Sequence, residues 1–355
     1  MNRVTTARSF TTTSAFRKDP ETATDCCVLP VGDSPHVIGL LLALSALAIV
    51  IDPGHAPGAI LVGLASAAIP WRAAWRGASG TALRPALIWV ALALLLSCFA
   101  QLVALTEPLS TGRPMSGRLT YLSVLAILAA LVSVLNARRP GERVWAGLMV
   151  LLVVVFMIPW LEEAGRMRRP QGVVLVHLDS PWTIFYGLLV VVGVTNYLPT
   201  RFGIAASCLG FALILEYMGL TRADWSLERR AVVWEWVALT FALAVWVARW
   251  SASRTPSGSG FDRIWLWFRD HWGVVWALRN QERFNRTAEL AGWPVRLTWY
   301  GLEPVDGAEK GPEMTVPIEA EPAFRGLLRR FAQAERLDQV SASAGAPGTA
   351  LASDR

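Results

Sequence analysis

An uncharged run of 18 residues, Val144 to Leu161 (VWAGLMVLLVVVFMIPWL), dictates the solvent in which this chain folds. Trp145 and Trp160 stand near its two ends, with Arg143 outside the first and Glu162 and Glu163 outside the second. At the helical rise of 1.5 Å per residue such a run reaches about 27 Å, close to the roughly 30 Å hydrocarbon core of a bilayer. An indole at each end places its ring in the interface and its N–H toward headgroups and water. The pattern predicts a transmembrane helix.

The rest of the chain repeats it. Of 355 residues, 54% are hydrophobic and 17% charged, against about a quarter charged in a soluble domain. Eight candidate spans follow at roughly 35–52, 57–73, 84–105, 119–137, 144–161, 182–199, 202–220 and 230–249. The second is the weakest, being short, rich in small residues and bounded by Pro57 and Pro70, and it also admits a re-entrant path. The expected fold class is therefore an all-α polytopic transmembrane bundle of about eight spans in residues 34–250. A small cytoplasmic α+β appendage at its C-terminal side completes it.

The flanking segments read differently. Residues 1–33 are polar and rich in Ser, Thr and Arg, and predict a disordered tail. Their weak transit-peptide character favours a bacterial inner-membrane protein over an organellar one. Residues 251–260 (SASRTPSGSG) predict a flexible linker. From 261 to 337 the pattern predicts a Trp-rich amphipathic helix over 261–291, with Phe261, Ile264, Trp265, Phe268, Trp272, Val275 and Trp276 on one face. Gly292-Trp293-Pro294 then stops that helix. Two strand-like runs follow, Val295–Leu302 and Met314–Ile318, then a helix over Pro322–Arg336 and a disordered tail from 338. The aromatic face serves either as a membrane-surface helix or as the core of the appendage, and the strands available to cover it favour the core.

Charge supports membrane orientation rather than nucleic-acid binding. The net charge is +6, yet the basic residues, of which only Lys18 and Lys310 are lysines, mostly flank apolar runs. No basic face is interleaved with base-stacking aromatics. The loops 72–84, 138–143 and 200–201 hold seven arginines against one acid, Glu142, while the outer loops hold eight arginines, so the loops alone do not orient the chain. Basic residues around the first and last spans tilt the balance to the side of those three loops, so both termini are expected in the cytoplasm of a multi-pass cell-membrane protein. The lipid bilayer is the expected partner, with a protein partner at the appendage as a further possibility and no nucleic acid.

Chemistry is harder to find. The four cysteines (Cys26, Cys27, Cys98, Cys208) form no C-x-x-C pair, the four histidines no HExxH, and no phosphate loop, dinucleotide fingerprint or nucleophile elbow occurs. No cofactor or metal is implied. The sharpest candidates are Glu216 and Glu235, each a turn or more inside a span, where a carboxylate costs ~1–3 kcal/mol. Two carboxylates within reach share a proton or hold a cation. Alternatively, each pairs with Arg222, Arg229 or Arg230 and pins the loop, the blander and favoured account. His177 and Asp179, in the only long outer connection, make a weaker candidate, as do Glu162 and Glu163 at its start. Asp52 and His55 (IDPGHAPG) read as a tight turn, and Asn196, Gln101 and Ser97 as helix-to-helix polar contacts. The functional expectation is a permease-like protein or membrane scaffold with an outward-facing polar site. The alternative is a transferase or hydrolase acting on a lipid-linked substrate at the outer face, its arginines gripping phosphate.

Overall fold

A computed structural model describes residues 35–111, 113–137, 142–166, 178, 180–222, 224–254, 258–305 and 317–342. The expected N-terminal tail and nearly all of the C-terminal one lie outside the described residues. Ten helical segments make the bundle: Pro35–Ile51 (α1), Ala56–Ser66 (α2), Ala68–Gly77 (α3), Arg84–Ala104 (α4), Pro114–Leu135 (α5), Glu142–Phe156 (α6), Ile158–Arg166 (α7), Trp182–Thr195 (α8), Gly203–Thr221 (α9) and Leu227–Ser253 (α10). Prolines open α2, α4 and α5, where a fixed φ helps and a missing N–H costs nothing.

Among the described residues five helices are long and apolar enough to cross a membrane: Ala56–Gly77, Arg84–Ala104, Pro114–Leu135, Gly203–Thr221 and Leu227–Ser253. Three shorter apolar helices accompany them, Gly39–Ile51, Met149–Glu162 and Trp182–Thr195. The run 144–161 is divided between Glu142–Phe156 (α6) and Ile158–Arg166 (α7), so it is helical but not one unbroken helix. The helix breaks at Met157, two residues before Pro159. That proline has no N–H for the Val155 carbonyl, and its ring crowds the preceding turn. The Phe156 carbonyl at the break accepts from the Tyr121 hydroxyl at 2.6 Å instead. Pro70 has the same effect at Ala67, dividing α2 from α3 within one continuous apolar unit.

Helix α5 is buried on nearly every side, and α4 lies along it, tied by Ser97 Oγ to Ser123 Oγ at 2.6 Å. Trp246 Nε1 of α10 donates to Ser66 Oγ at 3.1 Å across the α2 break. The peripheral helices turn large apolar side chains outward with nothing packed on them: Leu95 of α4 is 68% exposed, Ile184 of α8 69% and Ile204 of α9 60%. A continuous apolar exterior on this scale is stable against lipid tails and not against water.

At one end of the bundle sits the appendage. Gly260–Leu290 (α11) opens with a capping box between Ser259 and Asp262 and ends at Gly292 (φ 67°), where the Trp293 N–H reaches the Ala288 carbonyl at 2.9 Å. A hairpin of Val295–Thr298 (β1) and Gly301–Pro304 (β2) follows, antiparallel with Val295 opposite Pro304. Ala320–Leu328 (α12) and Ala334–Ala342 (α13) complete it. Three expectations change here. The single strand 295–302 is a hairpin, because the Trp299-Tyr300 pair turns the chain and Gly301 takes φ 138°. The helix 322–336 is two helices separated at 329–333. The strand expected at Met314–Ile318 lies outside the described residues up to 316, and 317–318 are not strand.

The aromatic face of α11 is the appendage core, with Trp265, Phe268 and Trp272 fully buried and Phe261 stacked on Phe324 at 4.4 Å. Val275, expected on that face, is 50% exposed. The cause is a break at Gly273 (φ 75°, ψ −173°), which resets the helical phase so that Trp276, Asn280 and Phe284 face inward beyond it. Asn196, from the turn between α8 and α9, occupies the break. Its carbonyl accepts from Val274 N at 2.9 Å, its Oδ1 from Val275 N at 3.0 Å, and its Nδ2 donates to the Trp272 carbonyl at 3.3 Å. The backbone groups freed by the break are thereby paired, as burial demands.

Further ties surround this joint. Trp272 and Trp276 donate their indole N–H groups to the Ala137 and Leu135 carbonyls at 3.1 and 3.0 Å, capping the C-terminal end of α5. Gly80 and Ala82 of the α3–α4 turn bond Gln333 and Phe331. Buried Asp270 is neutralised by Arg201 (3.2 Å) and Arg269 (2.8 Å). Burial, reinforced by the Arg201 charge, pushes the neighbouring His271 imidazole down to about 4, so the neutral ring bonds the Trp267 carbonyl at 2.7 Å.

Candidate functional site

The opposite end of the bundle, the far end, carries the buried polar side chains. Helix α5 starts there without a side-chain cap of its own. Glu107, from the preceding turn, accepts from the Met115 and Ser116 N–H groups at 3.0 Å each, placing a carboxylate against the positive end of the helix. Arg113 occupies the N-cap in the left-handed conformation (φ 47°, ψ 62°), which costs a residue with a Cβ roughly 1–3 kcal/mol.

Four contacts hold Arg113 there, the first from its Nε to the Glu107 carbonyl at 3.3 Å. Its Nη1 pairs with Glu235 Oε1 of α10, both side chains being almost wholly buried. Its Nη2 donates to the Gly54 carbonyl at 2.9 Å and the Pro53 carbonyl at 3.3 Å. One guanidinium thus joins the α1–α2 turn, the start of α5 and the interior of α10. Glu235 sits eight residues into α10, about 12 Å from its start.

Trp234, the neighbour of Glu235, is 3% exposed and fills the space between α5 and α9. Its ring lies where a side chain at Gly117 would stand, so α5 carries glycine at that position. A Cβ at Gly219 would come 3.6 Å from the indole nitrogen, and that N–H has no partner among the described residues.

Glu216 differs from Glu235. It lies five residues before the end of α9, about 7.5 Å below the far end. It is 0% exposed, and neither carboxylate oxygen has a hydrogen-bond partner among the described residues. Tyr121 of α5 and Tyr186 of α8 lie within electrostatic reach of it, but their hydroxyls are directed at the Phe156 and Leu213 carbonyls, at 2.6 and 2.9 Å. An unpaired carboxylate ion buried this way costs several kcal/mol even after relaxation. A neutral carboxyl left without partners costs only about 1–3 kcal/mol.

The two acids singled out in the sequence are therefore in opposite situations. The pairing expected with Arg222, Arg229 or Arg230 is not made by either acid. Arg230 donates to the Arg222 carbonyl at 2.6 Å, and Arg229 lies 4.5 Å from the centre of the Trp225 ring. These loop arginines close the α9–α10 turn among themselves. His177 and Asp179 lie outside the described residues, although Leu178 between them is buried, its N–H bonded to the Leu220 carbonyl at 3.1 Å. Glu162 is exposed midway along α7, and Glu163 follows it in the same helix. The turn expected at Asp52 and His55 is present, with an exposed hydrogen bond of 2.7 Å between their side chains. Gln101 is buried in α4 with its Oε1 unpartnered.

Arg113, Tyr121 and Tyr186 were not among the site residues read from the sequence. A signal existed for the first, since Arg113-Pro114 is an arginine at the N-cap of a helix-opening proline. Placing the start of the fourth span at 119 rather than 114 also left Arg118, which is buried one turn into α5, outside the membrane segment. Comparison of the chain with protein-family models, with curated proteins and with solved structures finds no match.

Proposed function

We propose that this chain is a permease-like protein of eight crossings, with its polar site at the far end and a small cation, or a proton, as the species handled there. The eight apolar segments run alternately between the far end and the appendage end, the kinked pairs α2–α3 and α6–α7 each serving as one crossing. The basic residues at or after the end of the last crossing (Arg249, Arg254, Arg263) and before the first favour a cytoplasmic appendage and termini.

One observation carries the functional reading: Glu216 is fully buried and neither of its oxygens is partnered among the described residues. A scaffold gains nothing from such a group, whereas a site that takes up and releases positive charge requires one. The reading of a lipid-phosphate enzyme draws less support, because Arg113 is committed to Glu235 and three carbonyls. Arg168 and Arg169 lie outside the described residues.

Proteoliposomes with a trapped pH-sensitive dye and an imposed potassium diffusion potential test the proposal. The protein is expected to accelerate proton entry above protein-free vesicles, and Glu216→Gln to abolish the acceleration. Equal rates for both proteins would contradict it.

A further inference from the structure

Resting on that reading, we infer that the resident of the Glu216 site is a proton, carried on the Glu216 carboxyl at neutral pH, rather than a metal ion or an organic cation. The surroundings of the side chain decide between these ligands. A hard metal cation requires about six oxygen ligands in a closed shell. Among the described residues, the phenols of Tyr121 and Tyr186 lie within electrostatic reach of Glu216, and both hydroxyls already point at backbone carbonyls. The other buried carboxylate in the described part of the far half, Glu235, has its charge matched by Arg113, which leaves only its Oε2 without a partner among the described residues.

An organic cation requires volume next to the acid. Glu216 is wholly enclosed, with Leu213 and Leu220 of its own helix at 0% and 1% exposure and Trp234 wedged against Gly219. A proton needs neither a ligand shell nor space.

The charged and titratable groups on the packed elements agree with this assignment. From α5 come Arg118 and Tyr121, from α8 Tyr186, from α10 Arg230 and the Arg113-bound Glu235, and from α9 itself Tyr217, with Arg222 just beyond it. None makes a hydrogen bond or ion pair to Glu216. The charge that would form on the carboxylate therefore has no counterion already in contact, and the neutral acid is the form that fits.

Infrared difference spectroscopy of the wild type against Glu216→Gln tests the assignment directly. The expected result at neutral pH is loss of one protonated-carboxyl C=O band in the variant, with that band persisting in the wild type under mildly acidic and neutral conditions. If the difference instead shows a carboxylate pair of bands at neutral pH, the assignment is overturned. Where the glutamine variant fails to fold, dicyclohexylcarbodiimide applied to the wild type decides, because it attaches to protonated carboxyls in apolar surroundings. Peptide mapping should place the adduct on Glu216, and an adduct confined to other acids would overturn the proposal. The two readings fail separately. A band without Glu216-dependent flux leaves the proton assigned and removes the permease, whereas flux without the band does the reverse.

Discussion

Replacing Arg113 by methionine is expected to lower the stability of the solubilised protein by about 3–5 kcal/mol, the cost of leaving one member of a buried ion pair uncompensated. The pair joins Glu235 of α10 to the start of α5, and the same guanidinium closes the α1–α2 turn through the Gly54 and Pro53 carbonyls. The loss therefore exceeds that of an exposed ion pair, about 0–1 kcal/mol. Adding Glu235→Leu to Arg113→Met removes the stranded charge and should recover most of the loss, since apolar replacement of a buried pair is often neutral. Thermal melting of the two single variants and the double one measures this. Additive losses would show that the two residues do not act as a pair.

Gly273→Ala is expected to cost roughly 3 kcal/mol or more, through two effects that can be separated. The backbone at φ 75°, ψ −173° belongs to a region that is essentially glycine's own, worth about 1–3 kcal/mol to any other residue. In addition, the new methyl would overlap the side chain and carbonyl of Asn196, which fills the break in α11. The bundle and the appendage meet at this joint, so the variant should expose the connection between α10 and α11 to protease before the bundle melts. Adding Asn196→Gly removes the side-chain part of the overlap, along with its bonds to Trp272 and Val275, and leaves the backbone cost. The double variant is expected to stay well below wild type. A Gly273→Ala protein with wild-type melting and protease resistance would show that the joint does not depend on this geometry.

Much of the fold was legible because apolar run length and aromatic spacing are local quantities. The helix 260–290, its stop at Gly292 and its aromatic core face all follow from residues a few positions apart. The break at Gly273 does not, because glycine within a helical pattern is usually tolerated and the partner that stabilises the break, Asn196, is distant in sequence. Pro159 was visible inside the run 144–161, yet the composition of that run outweighed it; the break it causes is paired by Tyr121, again a distant residue.

The site was legible in its acids and not in their partners. Depth within a span marks Glu216 and Glu235 as unusual, but depth alone does not say which of them is paired. Sequence proximity points to Arg222, Arg229 and Arg230, whereas the cation bound to Glu235 is Arg113, brought across by the packing of α5 on α10. Small residues are a further sign: Gly117 of α5 and Gly219 of α9 make room for the Trp234 indole of α10 between them.

The most direct test of the central claim, that Glu216 is a working carboxyl and Glu235 an anchor, is the melting temperature of Glu216→Gln set beside that of Glu235→Gln under the same conditions. Glutamine is nearly the same shape as glutamate and carries no charge. At position 216 it gives up no bonded partner, so the variant should melt at or above the wild type, as expected where function holds a site away from its stability optimum. At position 235 it leaves Arg113 without its counter-charge, so that variant should melt well below. If both variants melt lower by similar amounts, the two acids are anchors alike, and the account of Glu216 as a functional site is contradicted.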